Sequence, residues 1–530
     1  MSEFTVTKPG LEWQEVFLSF VPPAKRTSHA KDRLTAWRLP LIMVLQAVLT
    51  WRLTDVANDD EALYIHGGQV VIAHLLHGGA ANAALLHLYG SYFSGAPNAY
   101  PVVAAALDAV GGLILVRFFS LCCMLTATVC VYRIGRHLFN ENVALLASLV
   151  FALTGSVQFI GKLATYDAPC LVLVALASML AITKRSMSIA IAPVIGALLA
   201  VATVTKYTGL ALVPFVLLMT FLTALTADGR RWRRNFPQAV LHGGVATLVF
   251  AGLLLGGYHL WGSGIAVGVK FTTTGRTALD PTSTSILLES LLYDIGLTFA
   301  LAIGGTLLML RQRAWDKVML FVLMLGAGSV IQASSVRIHE FTSLNKHTAF
   351  SGLFCAIPAA VALNWALSKR GRTTLAAVAI IWLLLIDGMW RSKLQYSWPA
   401  SILTPIKVIQ TLNIPGQYLS FDSDTAEFYT QGDPRIDWFP SAAAYSIFGQ
   451  GVAEVIRTEK IHKFTGFMFQ TTNLSAQNVS ELHVLDRLLA SDPYYFETGT
   501  YRVNAYTKGE WQLWMHYPIG YHGPTHKGRL

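Results

Sequence analysis

Charge is what this chain has least of. Only 13% of its 530 residues are Asp, Glu, Lys or Arg, about half the share of an ordinary soluble protein. Hydrophobic residues make up 53% and mean hydropathy is +0.48. That balance excludes a soluble globular enzyme and points to a polytopic α-helical membrane protein. Cysteine is also scarce. The five thiols, Cys122, Cys123, Cys130, Cys170 and Cys355, all fall in apolar runs. They exclude a disulfide framework, and no Cys/His spacing supports a zinc site. Residues 1–33 are polar and lack the apolar stretch of a secretory signal, so the first apolar run is expected to stay as an anchor. No low-complexity segment and no internal repeat is visible. The net charge of +10 comes from Lys and Arg gathered in loops, which orients a membrane protein and excludes nucleic acid as a partner.

What is present is a succession of apolar runs. They centre on Leu34–Leu53, Val110–Tyr132, Val143–Phe159, Ala168–Thr183, Ile189–Val204, Leu210–Thr226, Ala239–Leu260, Ile286–Leu310, Val318–Ile331, Ala349–Leu367 and Leu375–Gly388. About eleven transmembrane helices follow, a few of them short for a full crossing. With residues 1–33 in the cytoplasm, every second loop is basic: Arg133 and Arg136; Lys184 and Arg185; Arg230, Arg231, Arg233 and Arg234; Arg311, Arg313 and Lys317; Lys369, Arg370 and Arg372. The other loops carry isolated charges. This alternation predicts a multi-pass plasma-membrane protein with its first large loop, about residues 54–108, on the outer face. Residues 34–390 form the membrane domain. Residues 391–530 are less apolar and contain strand-like pieces such as Tyr418–Phe421, so a carboxy-terminal extracytoplasmic α/β domain is expected.

The outer loops hold the informative polar residues. Asp59, Asp60 and Glu61 open a stretch, Ala62–Leu76, with the pattern of an amphipathic interfacial helix: Ala62, Ile65, Ile72 and Leu76 share one face, and Asp60, Tyr64, Gly67 and His74 another. The segment His87–Pro101 reads as loop or short helix. A second acid, Asp167, stands where a loop enters a helix, a position that also suits a simple cap. Lys162, Lys206, Arg276, Arg337, His339, Lys346 and His347 would ring the same outer mouth. Acids beside several cations suit an anionic substrate whose reacting partner must lose a proton. Taken singly, each cation also reads as an interfacial residue with its head in water. Adjacent residues point about 100° apart on a helix, so Asp60 and Glu61 face one site only if the helix starts after them.

Four stretches carry a resemblance. Asp59-Asp60-Glu61-Ala62-Leu63-Tyr64, the segment from Arg117-Phe118-Phe119-Ser120 to Phe139, Lys162–Asp167 and Thr205-Lys206-Tyr207-Thr208-Gly209-Leu210 appear in the order seen in GT-C glycosyltransferases. A looser match is Thr342–His347. The chain resembles the dolichyl-phosphate-mannose protein mannosyltransferase lineage, which includes the lipid A aminoarabinose transferases. The likeness runs over roughly residues 40–360 and leaves the carboxy-terminal domain unmatched. It implies an inverting transfer of sugar from a polyprenyl-phosphate donor to an acceptor hydroxyl on a glycan, lipid or protein, an activity of the EC 2.4 class.

By position Asp60 matches the family's catalytic acid, with Glu61 in support and Asp167 as second acid. Lys206 and Arg276, then Lys162, Arg337, Lys346 and His347, are the candidates for the donor phosphate. Asp59, Tyr64, Tyr166, Tyr207 and His339 are candidate substrate contacts. A site with no cofactor and one with a divalent Mg or Mn ion on Asp60, Glu61 and Asp167 both stay open; a bacterial origin and contact with membrane lipids are expected. The competing class is a transporter or flippase of a lipid-linked sugar. Such a protein is expected to carry ionisable groups near midplane in two related halves, a pattern this sequence does not show.

Overall fold

The computed structural model describes residues 37–50, 56–183, 189–226, 232–261, 264–273, 281–341, 343–369, 371–395, 402–439, 455–456, 461–472, 476–504 and 508–517. Segment 1–33, Arg276, Thr342 and the basic residues Lys184, Arg185, Arg230, Arg231 and Arg370 lie outside the described residues.

Among the described residues, seven helices are long and apolar enough to cross a membrane. They are Tyr100–Leu138, Tyr207–Leu225, Trp232–His259, Thr284–Arg311, Trp315–Arg337, Leu344–Ser368 and Arg372–Lys393. Four shorter apolar helices, Arg38–Thr50, Glu141–Leu153, Asp167–Thr183 and Ile191–Thr205, occupy the remaining runs. Each expected run therefore holds a helix. Side-chain chemistry sorts them. Leu344–Ser368 is buried on nearly every side, and its outer surface is built of Ala, Gly, Ser, Phe and Leu that pack against neighbours. Trp232–Trp261 and Arg372–Gln395 instead show Leu248, Leu255, Leu375 and Trp382 at the surface, the pattern of a lipid-facing helix.

Two expected boundaries move, both at glycines or beside them. Gly111 and Gly112 leave the helical region, Gly112 with φ +66°, so Tyr100–Leu138 is two helical pieces joined at a kink. The first piece belongs to the loop region, not to the span expected to start at Val110. The run Val143–Phe159 is broken at the extended residue Thr154, and Gly155–Ile160 forms a separate short helix against Arg391 and Gly388.

The first loop is folded. Its leading helix, Asp59–His77, is called the acid helix below; Ala80–Tyr92 follows it. His87–Pro101 is thus partly helical, with a turn over residues 93–99. The amphipathic expectation needs correction. Leu63, Tyr64, Ile65 and Gly67 are all buried, and beyond Asp59 at its start only the far end, with Leu75 and Leu76, is exposed. The face expected to meet water is roofed by protein. The acid helix and the Tyr100 helix cross at Gly68, where a Cβ would fall 1.9 Å from the Pro101 carbonyl oxygen.

The carboxy-terminal domain is α/β, as expected. Its five-stranded sheet has the order β2-β1-β3-β5-β4, with β1 Gly416–Ser420, β2 Ile436–Trp438, β3 Phe464–Gln470, β4 Tyr495–Asn504 and β5 Lys508–His516. β1 runs parallel to β2 and β3, with Tyr418 opposite Trp438, while β5 is antiparallel to β3 and β4. Helix Leu403–Leu412 precedes the sheet, Ser423–Thr430 links β1 to β2, and Ala476–Ser491 links β3 to β4. Helix Arg372–Gln395 runs past position 391. The aromatics Trp438, Phe439, Tyr495, Trp511 and Trp514 are core residues. The domain sits against the first loop: Val56 packs into one of its cores, Leu88 against another, and Phe428 packs back against the loop's aromatic cluster.

Candidate active site

The acid helix begins with a capping box. Asn58 is extended, its side-chain oxygen accepts from the Asp60 N–H at 3.0 Å, and the Glu61 carboxylate accepts from the Asn58 N–H at 2.8 Å. The helix therefore starts at Asp59, before the two catalytic candidates, and these are forced onto different faces. Asn58-x-x-Glu61 is a sequence-level signature of this cap, and it carries the information that separates the two acids.

Glu61 is fully buried. Arg117 meets it with Nε at 2.9 Å from Oε1 and Nη2 at 2.6 Å from Oε2, and the Ala164 N–H donates to Oε1 at 2.7 Å. Arg117 also donates to the Val56 carbonyl at 3.0 Å. All the strong acceptor directions of Glu61 are taken. This side chain ties the acid helix, the Tyr100–Leu138 helix and the 161–166 turn together; it does not join Asp60 in the cleft.

Asp60 points the other way. Its Oδ2 receives the Lys346 ammonium, and its Oδ1 lies 3.2 Å from the Tyr64 hydroxyl. The Tyr64 hydroxyl donates to the Tyr166 hydroxyl at 2.5 Å, so the two tyrosines and Asp60 form one polar cluster. Burial alone would push the Asp60 carboxyl up, but Lys346, by charge and hydrogen bond, and the more distant Lys206 hold it below the ordinary carboxylate range.

Asp167 repeats the arrangement. Lys206 bonds its Oδ1, and the Thr165 hydroxyl donates to Oδ2 at 3.0 Å. Lys206 follows the end of helix Ile191–Thr205 in an extended conformation, and its ammonium lies 5.1 Å from the centre of the Tyr166 ring. Both Lys206 and Asp167 are buried. Two acid–lysine pairs thus flank one pair of tyrosines. Asp60, Asp167, Lys206 and Lys346 come from four distant parts of the chain, and Asp60 lies close enough to Asp167 and Lys206 to sense their charges.

The other candidates are spread around this centre. Asp59 turns toward the carboxy-terminal domain and is hydrogen-bonded to its Asp422. Desolvation, then Asp422, Asp424 and Asp60, holds its carboxyl well above the ordinary range. Lys162 is buried in the turn that leads to Asp167. His347 is buried one residue beyond Lys346, with Nδ1 3.5 Å from the Ser335 hydroxyl. Arg337 and His339 are exposed at the end of their helix, and His339, at φ +57°, contacts the Thr282 carbonyl at 3.0 Å. Tyr207 is completely buried against Gly268, in the wall and not in the cleft. Arg276 lies outside the described residues.

For a divalent ion the donor set does not fit. Among the described residues no group of three His, Cys, Asp or Glu side chains is placed to hold a metal. Glu61 is consumed by Arg117, and Asp60 and Asp167 each face a lysine.

Similarity to known proteins follows this geometry. Residues 103–255 match the family model for dolichyl-phosphate-mannose-protein mannosyltransferase. A sequence comparison with curated proteins gives no match. Among solved structures, ArnT from Cupriavidus metallidurans in the apo state superposes with a TM-score of 0.58 at 14% identity, covering 91% of this chain and 98% of that one. The same protein bound to undecaprenyl phosphate gives 0.54 at 13% identity, with 90% and 98% covered. The archaeal oligosaccharyltransferase AglB from Archaeoglobus fulgidus, in complex with an inhibitory peptide and a dolichol-phosphate, gives 0.52 at 11% identity, with 91% and 74% covered. The chain has the GT-C glycosyltransferase fold and resembles the protein mannosyltransferase lineage over its early membrane helices.

Proposed function

We propose that this chain is an inverting membrane glycosyltransferase that moves a sugar from a polyprenyl phosphate to an acceptor hydroxyl on the outer face of a bacterial plasma membrane. The observation that carries this reading is the convergence of Asp60–Lys346 and Asp167–Lys206 at one end of an apolar helical bundle. An enzyme whose donor is anchored in lipid needs its charges there. Lipid phosphates bound to two proteins of the same fold support a donor of that class. A lipid-sugar flippase is not favoured, because the ionisable groups gather at one end.

The same convergence supports eleven crossings. Asp60 follows the first apolar helix, Asp167 opens the fourth, Lys206 ends the fifth and Lys346 opens the tenth. All four meet at one end when an even number of crossings separates each from the next, as eleven alternating helices provide. The basic loops then lie in the cytoplasm with the N-terminus, and the carboxy-terminal domain lies outside.

In the reaction the acceptor oxygen attacks the anomeric carbon from the face opposite the phosphate. The carbon–oxygen bond to phosphate breaks, its electron pair stays on the leaving phosphate, and the acceptor proton goes to Asp60. Lys206 and Lys346 stabilise the leaving phosphate where charge builds up. Asp167 keeps Lys206 in place. In the resting site Lys346 makes Asp60 a weak base. A bound lipid phosphate competes for the same ammonium, and as Lys346 turns to it, Asp60 regains proton affinity when the acceptor needs it. No step requires a metal.

The test is transfer by purified protein in lipid vesicles, with polyprenyl-phosphate pentose, hexose and amino-sugar donors and glycan, lipid and peptide acceptors. Glycosylated acceptor from wild type but not from Asp60→Asn is the expected result. Donor movement across the vesicle membrane without transfer would overturn the reading.

A further inference from the structure

The carboxy-terminal domain touches the acid helix at its most sensitive point. The Tyr429 hydroxyl, on helix Ser423–Thr430, accepts a hydrogen bond from the Ala57 N–H at 2.7 Å. Ala57 is buried and stands immediately before the Asn58 cap. Its amide has no place in the helix ladder, so without that hydroxyl a buried donor is left unmet. Arg117 holds the neighbouring Val56 carbonyl from the membrane side. The turn Val56-Ala57-Asn58 is thus gripped from two directions, and it sets where Asp60 points.

Other contacts join the same two helices. Gln69 donates to Gln431 at 3.1 Å, His66 lies 3.5 Å from Glu427, and Phe428 packs into the aromatic cluster that contains Tyr64 and Tyr166. These three lie away from the cap turn; at the turn itself Val56 packs into the domain's core and Asp59 bonds Asp422, but neither meets a backbone amide of the turn. Tyr429 does, from a point 369 residues beyond Asp60 in the chain.

We infer that Tyr429 is a positioning residue for Asp60, and that the carboxy-terminal domain is part of the catalytic machinery through the hydrogen bond from the Ala57 amide to its hydroxyl. This rests on the reading of Asp60 as the base. The chemistry asks for a hydroxyl at this point: phenylalanine fills the same space and accepts nothing.

Tyr429→Phe in the full-length protein tests it, with Gln431→Ala as a control in the same seam. Amide hydrogen exchange is expected to quicken in peptides covering residues 56–61 of Tyr429→Phe and to stay at the wild-type rate in the sheet peptides 464–470 and 508–516. In transfer assays kcat is expected to fall about tenfold while KM for the lipid donor stays within about twofold. Gln431→Ala is expected to leave both at wild-type values. Unchanged exchange over 56–61 overturns the inference. So does loss of protection that spreads to the sheet, or a fall in kcat/KM borne wholly by KM. The exchange measurement needs no substrate. If wild type transfers no sugar to any acceptor, the proposed function fails while the exchange result still decides whether Tyr429 holds the turn.

Discussion

Arg117 grips Glu61 with two parallel hydrogen bonds, 2.9 and 2.6 Å long, and both side chains are completely buried. The pair joins a membrane helix to the helix that carries Asp60. Removing one partner leaves the other charge in a site without water, at a cost of about 3–5 kcal/mol. Lysine cannot replace the guanidinium, because a single ammonium does not span both carboxylate oxygens.

Arg117→Lys and Glu61→Gln are therefore expected to lower the unfolding temperature of the purified protein, and to reduce transfer as the acid helix loses its anchor. A thermal melt followed by intrinsic fluorescence reads the first effect. An unchanged melt for both variants would show that the pair contributes nothing to holding the helix.

Asp60→Asn has a different expected signature. The amide keeps the shape of the side chain and removes the charge. As proposed base, Asp60 contributes about 10²–10⁴ in rate, so kcat should drop by at least about a hundredfold. The melt should move far less than for Glu61→Gln, since the Asp60–Lys346 pair is partly open to solvent. Transfer at the wild-type rate would remove Asp60 from the chemistry.

The seam between the two domains should respond to pH. Burial, then Asp424 and Asp437, raises the Glu427 carboxyl from 4.5 to about 8, and burial lowers His66 from 6.5 to about 4. A raised carboxyl contributes stability that is lost as pH climbs through the folded value. A lowered imidazole costs stability as pH falls below 6.5. The two effects oppose each other between 4.5 and 6.5, and above 6.5 only the loss from Glu427 remains. Asp59 and Asp422, both raised, act in the same direction as Glu427. Protection of the 56–69 segment against hydrogen exchange, corrected for the intrinsic rate, should decline from about pH 6.5 to 8, and Glu427→Gln should flatten that decline. A wild-type profile that is already flat would show that these protons do not hold the seam.

Metal dependence gives a fourth test. With Glu61 bound to Arg117, the three carboxylates expected to share a divalent ion do not share a site. Transfer is expected to survive EDTA and to gain nothing from added Mg or Mn. Loss of activity in EDTA that Mn restores would mean that a different donor set binds the ion.

That the chain is a multi-pass bundle of apolar helices was legible from hydropathy alone. Burying a run of Leu, Val and Ala in lipid is a local property of that run, so all eleven runs contain helices. The resemblance pointed to Asp60, Asp167 and Lys206 because family motifs survive as short local strings. The strings did not reveal the partners. Lys346 reaches Asp60 from 286 residues away, Arg117 withdraws Glu61 from the cleft, and Tyr429 meets Ala57 from the far end of the chain. One missed signal was local: Asn58-x-x-Glu61 is a capping box, and it fixes the first turn of the acid helix.

The opposite roles of the neighbours Asp60 and Glu61 follow from that turn, about 100° apart on one helix. What the sequence determined by itself was which segments form apolar helices and which acids stand at the ends of those helices, since both depend on short-range composition. Which acid faces Lys346 and the tyrosine pair and which is tied to Arg117 was decided only by tertiary structure. A carboxylate's role depends on the cation that packing brings to it, and that cation is set by how distant helices meet.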